Sequence, residues 1–146
     1  MRLGAHVPIS GGLYKGFSNG QKLGCDAIQI FVKNPNQWVG KLPTDIDIQK
    51  FRQVQQDSPI QEVIVHDIHL TNLAGPKAET LEKSRQTFAL QVNLLQQMGL
   101  TYLVTHLGSH LGTGEEEGLR VLNQSLNAIL EQSQSVVILL ETTAGQ

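Results

Sequence analysis

Several residues able to do metal or acid–base chemistry close short apolar runs in this chain. His66 ends EVIVH, His106 ends YLVTH, Glu141 ends VVILLE, and His6 stands one residue before the end of RLGAHV. With five histidines in 146 residues, three at or beside the ends of five apolar runs exceed what chance placement gives. A lone histidine at a strand end is ordinarily a hydrogen-bonded structural residue. Two imidazoles and a carboxylate brought to one place are the ligand set of zinc or a similar divalent ion, which takes His nitrogen and carboxylate oxygen. His66, His106 and Glu141 are therefore read as metal ligands. His6, among Val and Pro neighbours, is read as support behind them. Asp67 either joins the ligands or starts a turn. His69 and His110 lie in loops and are not taken as ligands. Cys25 is expected to be a buried thiol. Trp38, the single tryptophan, is read as a hydrophobic plug at the rim of the fold or, less favoured, as a contact surface. The loop after the second run, KNPNQW, offers Lys33, Asn34, Asn36 and Gln37 as donors suited to phosphate oxygens.

The elements that must position these residues follow from hydrophobic patterning. The apolar runs are Arg2 to Val7, Ala27 to Val32, Glu62 to His66, Tyr102 to His106 and Val136 to Glu141. Several are near-continuous in Val, Ile and Leu, as suits strands buried on both faces of a parallel sheet. Between them lie four amphipathic stretches predicted as helices: Ser10 to Leu23, Thr44 to Gln56, Ala78 to Met98 and Glu115 to Ser133. Alternating strands and helices predict a parallel α/β fold, either an open doubly wound sheet or a (β/α)8 barrel. The turn after the first strand, His6-Val7-Pro8-Ile9-Ser10-Gly11-Gly12, matches neither a dinucleotide fingerprint nor a phosphate-binding P-loop. That favours the barrel, whose active sites lie where the strands end. A barrel needs eight strand–helix units and this chain supplies five strands and four helices, so residues 1–146 read as the N-terminal part of a single barrel domain.

Composition narrows the classes further. A formal charge of −2 excludes a globally basic nucleic-acid binder and confines any polyanion contact to a local patch. One cysteine excludes an internal disulfide framework and a Cys-rich zinc module. No apolar run approaches the ~20 residues of a membrane span, and MRLGAHVPISGG lacks the apolar centre of a secretory signal. The plain expectation is a soluble cytoplasmic domain. No GxSxG nucleophile elbow is present. Glutamines, frequent and scattered through the helical stretches, are read as neutral surface.

A set of ordered motifs carries a family resemblance. These are GAHV (Gly4 to Val7) with Gly11-Gly12, KN..QW (Lys33, Asn34, Gln37, Trp38), VHD..L.NL (Val65 to Leu73), LEKSR (Leu81 to Arg85), HLGSHL (His106 to Leu111) and E.TAGQ (Glu141 to Gln146). Together they resemble endonuclease IV, the zinc-dependent apurinic/apyrimidinic endonucleases with a xylose-isomerase-like TIM barrel. The resemblance implies DNA repair: hydrolysis of the phosphodiester 5′ to an abasic site in double-stranded DNA, by a monomer using three zinc ions. It places His66, His106 and Glu141 on ligand positions of one zinc, with Glu141 also bridging to a second and so taking part in catalysis. It implies that the ions activate the attacking water and stabilise the leaving oxygen. It sets Lys33, Asn34, Asn36, Gln37, His69 and Leu70 on the loops that face DNA. The family often carries Arg where this chain has Asn36 and Tyr where it has His69. Leu70 keeps an apolar wedge. Leu107 stands where a proline is common. The remaining ligands of the family lie on later strands, so the 146 residues alone are expected to be inactive. The competing readings are a metal-dependent sugar isomerase or epimerase on the same barrel, and a non-catalytic fragment. Duplex binding that weakens steeply with salt separates the first reading from the isomerase, and size exclusion with circular dichroism separates out the fragment.

Overall fold

The computed structural model describes residues 1–60, 62–131 and 135–143. Nine elements alternate along it: β1 (Gly4–His6), α1 (Lys15–Lys22), β2 (Ala27–Ile30), α2 (Asp45–Gln56), β3 (Glu62–His66), α3 (Ala78–Met98), β4 (Tyr102–His106), α4 (Glu115–Leu130) and β5 (Val137–Glu141). The five strands form one sheet in the order β1-β2-β3-β4-β5, and every neighbouring pair is parallel. This order decides between the two expected architectures. A doubly wound sheet reverses its strand order at a switch point, whereas a barrel adds each strand beside the last. The sheet is therefore a five-stranded arc of (β/α)8 barrel type. The register sets His106 level with Glu141, and places His66 opposite Val104, two residues before His106, and His6 opposite Gln29.

Local sequence explains the element boundaries. Helix α1 starts five residues later than Ser10. Gly11 and Gly12 take φ of 89° and 129°, a left-handed turn that glycine alone enters without strain, so the chain coils before the helix begins. Thr44 caps α2, accepting from the Asp47 amide, while the Asp47 side chain accepts from the Thr44 amide. Helix α3 has the expected bounds and stops at Gly99, which is left-handed at φ 70°. The predicted end of the fourth helix, Ser133, lies outside the described residues.

The core lies between the sheet and its helices. Ile28, Ile30, Val65 and Leu103 from the strands meet Phe17, Phe51, Phe88 and Leu95 from α1, α2 and α3. Burial of both faces holds best for β3, where Val63 and Val65 are buried and Glu62 and Ile64 half-buried. It fails for β5, where Val137, Leu139 and Leu140 are exposed. An edge strand has a neighbour on one side only. Cys25 is half-buried rather than buried. Among the described residues no helix is long and apolar enough to cross a membrane.

Candidate metal centre

Strands β3, β4 and β5 deliver His66, His106 and Glu141 to the same end of the sheet. One ligand atom from each lies within 4.8 Å of the others. His66 Nε2 stands 3.0 Å from Glu141 Oε2, and His106 Nδ1 stands 3.7 Å from the same oxygen. The side chain of His66 is only 8% exposed, whereas that of Glu141 is 50% exposed and faces the mouth.

Hydrogen bonding shows what such a cluster suits. His66 Nδ1 lies 2.7 Å from the Asp67 carbonyl oxygen. A carbonyl can only accept, so Nδ1 carries the proton and Nε2 presents its lone pair in the neutral ring. Nε2 then faces a carboxylate, which also only accepts. The contact is satisfied if the ring is an imidazolium or if a cation takes both the Nε2 lone pair and the carboxylate. His106 Nδ1 is shielded from solvent and has no hydrogen-bond partner among the described residues. Four-coordinate zinc with nitrogen and oxygen ligands at about 2.0–2.2 Å spaces those ligands a little over 3 Å apart. The donor set, its spacing and the orphaned Nδ1 thus fit a divalent cation.

The surroundings of the cluster are aromatic and polar. Phe31 packs its edge on the His66 ring at 5.5 Å and on His69 at 5.1 Å, and lies 4.4 Å from His6. His6 supports the cluster through ring packing, with its centroid 6.0 Å from that of His66. Its pKa is lowered, first by burial and then by the nearby His66 and His69. Asp67, expected as a ligand or a turn starter, points away from the cluster into the core. Its carboxylate accepts from the Ile68 amide, Thr71 Oγ1, Gln91 Nε2 and Thr105 Oγ1. Burial raises its pKa, against the pull of those hydrogen bonds.

The expected DNA-facing residues divide into two groups. Asn34, Asn36, Gln37 and His69 are exposed and Leu70 is half-buried. The two loops that carry them are joined, since the His69 amide donates to the Pro35 carbonyl at 3.0 Å. Lys33 departs from the expectation of an open phosphate donor. It is 4% exposed, and its ammonium donates to the Trp38 carbonyl at 2.7 Å. Burial lowers its pKa, offset by the Asp67 carboxylate. The long aliphatic stem fills space under the loop while the charge ties down loop backbone. Trp38 is half-buried within the same loop. His110 stays outside the cluster, its Nδ1 accepting from the amides of Gly112 and Gly114 just before α4.

Three residues that build the site were not singled out in the sequence. Phe31 was visible only as an apolar residue near a strand end. Thr105 precedes His106 and faces Asp67. Gln91 is fully buried, contrary to the surface expected of glutamines. Its signal was its place on the apolar stripe of α3, between Phe88 and Leu95.

A family model described as a xylose isomerase-like TIM barrel matches residues 17–146. The chain belongs to that family. Within the xylose isomerase-like barrels, the likeness to endonuclease IV covers the whole chain. The probable endonuclease 4 of Geobacter sulfurreducens is 42% identical over 146 residues, which is 99% of this chain and 49% of that relative. The crystal structure of endonuclease IV from Thermus thermophilus superposes with a TM-score of 0.82 at 28% identity, covering 100% of this chain and 53% of that one. A D-psicose 3-epimerase from Clostridium cellulolyticum H10 shares the fold, with a TM-score of 0.72 at 13% identity over 96% of this chain and 52% of that one. The chain spans about half the length of the curated relatives it matches.

Proposed function

We propose that residues 1–146 are the N-terminal part of the barrel domain of a DNA-repair endonuclease that hydrolyses the phosphodiester 5′ to abasic sites. His66, His106 and Glu141 hold one of its zinc ions. The observation that carries this reading is the convergence of these three side chains at the ends of adjacent strands, on a chain similar to endonuclease 4 along its length. When bound, zinc supplies Lewis acidity toward phosphate oxygens and lowers the pKa of water.

The protein residues hold and orient. The Asp67 carbonyl fixes the His66 ring with Nε2 toward the site. Glu141, half-exposed, would be the ligand of this set open to the rest of the site. Asn34, Asn36 and Gln37 present amides to the DNA backbone. His69 and Leu70, on the adjoining loop, act as the wedge where a base is missing. Lys33 enters as the brace beneath the first loop.

The test is a chimera in which this chain replaces the matching half of the Geobacter sulfurreducens relative. Zinc-dependent incision of an abasic-site duplex is expected, with His106→Ala abolishing it. A soluble, folded chimera that binds zinc but fails to incise abasic duplex rejects the reading.

A further inference from the structure

Asp67 is 2% exposed, and a buried carboxylate is costly unless its acceptor capacity is met. Here it is met from four directions. Oδ1 accepts from the Ile68 amide at 2.7 Å, from Thr71 Oγ1 at 3.0 Å and from Gln91 Nε2, and Oδ2 accepts from Thr105 Oγ1 at 2.9 Å. The main chain of the same residue extends the pairing of β3 with β4, its amide donating to the Val104 carbonyl at 2.8 Å. Its carbonyl accepts the His66 Nδ1 proton.

These contacts share a geometric consequence. The bond from the Ile68 amide to Oδ1 locks the peptide that follows Asp67, and so fixes the direction of the carbonyl that orients His66. The bond from Thr105 fixes the strand end that carries His106. Gln91 anchors both to α3. We propose that Asp67 is a positioning residue for the cation site, setting the ring orientation of His66 and its spacing from His106. This rests on the reading of His66, His106 and Glu141 as a cation site. The role belongs to the shape of the network rather than to its charge. An asparagine with its oxygen at Oδ1 keeps the bonds from Ile68, Thr71 and Gln91, and its amide can donate to the Thr105 hydroxyl, which also accepts.

The test uses the chain with Co2+ as the probe, together with imidazole 15N spectra of the metal-free chain. Asp67→Ala is expected to keep the native circular dichroism and lower Co2+ affinity about 10-fold, the low end of the effect of losing a partner behind a metal ligand, because the carbonyl that meets His66 remains and loses only its anchoring. It is also expected to shift His66 away from the Nδ1-protonated tautomer. Asp67→Asn is expected to restore both readouts, which a role resting on charge does not allow. Thr105→Val, close in volume, carries the same comparison should Asp67→Ala fail to fold, with a fall in Co2+ affinity expected. Folded Asp67→Ala or Thr105→Val protein with wild-type Co2+ affinity and an unchanged His66 tautomer overturns the proposal. Absence of a cobalt ligand-field band in the wild type instead rejects the cation site, and the tautomer comparison in metal-free protein still decides whether Asp67 orients His66.

Discussion

At the scale of the residue, the site turns on His66, whose ring lies between the Asp67 carbonyl and the Glu141 carboxylate. Two acceptors on opposite edges of one imidazole leave a cation or a second proton as the means of satisfying both. His66→Ala removes the most deeply held ligand, and the protein is expected to lose its retained zinc after dialysis. Metal analysis checks this, and wild-type zinc content in the variant rejects the assignment. Lys33 yields a different prediction. Since its ammonium is bound to the Trp38 carbonyl, Lys33→Ala is expected to loosen the loop and weaken duplex binding while leaving the salt slope unchanged. A lysine contacting phosphate would instead lower that slope by about one on removal. Fluorescence anisotropy with the chimera over a range of salt separates the two. The ligands were legible in the sequence because each closes an apolar run, and strand ends in a barrel share one mouth. Asp67 and Gln91 were not. Their roles depend on partners brought in by the fold, Asp67 being separated by 24 residues from Gln91 and by 38 from Thr105.

At the scale of the element, α2 shows how far local sequence specifies structure. Thr44 and Asp47 cap it reciprocally, through the run Thr-Asp-Ile-Asp that spans the cap and the first turn of the helix. Thr44→Ala is expected to cost about 1 kcal/mol of stability, as for other capping residues, read as a lower urea midpoint at neutral pH. Hydrogen bonds from the Thr44 amide and hydroxyl hold the Asp47 carboxyl below its ordinary value of 3.8. A depressed carboxylate contributes stability that is present above the ordinary value and is lost as pH falls through the depressed one. The difference between wild type and Asp47→Ala is therefore expected to narrow as pH drops below 3.8, and a constant difference across that range counts against the cap. The bounds of β3, α3 and β4 followed from their apolar patterns and from the stop at Gly99. The start of α1 did not, because periodicity extends smoothly through Gly11 and Gly12 while their backbone turns left-handed.

At the scale of the whole molecule, the order β1-β2-β3-β4-β5 fixes the barrel class that composition left undecided. Strand alternation could be read from the sequence. Strand order could not, because it depends on which side of the sheet each crossover returns to. The same arrangement bears on activity. Among the described residues β5 pairs only with β4, and its Leu139 and Leu140 are exposed, so Glu141 sits on a strand supported there from one side. The one cluster of three metal-ligating groups among the described residues offers ligands for a single cation. Hydrolysis by a two-metal clamp requires both the attacking and the leaving oxygen to be stabilised, with ligands held within about 0.5 Å of the productive geometry. Cation binding tolerates looser placement than transition-state stabilisation does. The 146-residue chain is therefore expected to bind zinc yet leave an abasic-site duplex intact, while the chimera with the relative's second half incises it. Incubating equal concentrations of both proteins with labelled duplex and zinc, beside His106→Ala versions of each, checks the pair of expectations. Zinc-dependent incision by the chain alone, abolished by His106→Ala, would mean that β5 needs no further support and that the His66, His106 and Glu141 cluster suffices for turnover.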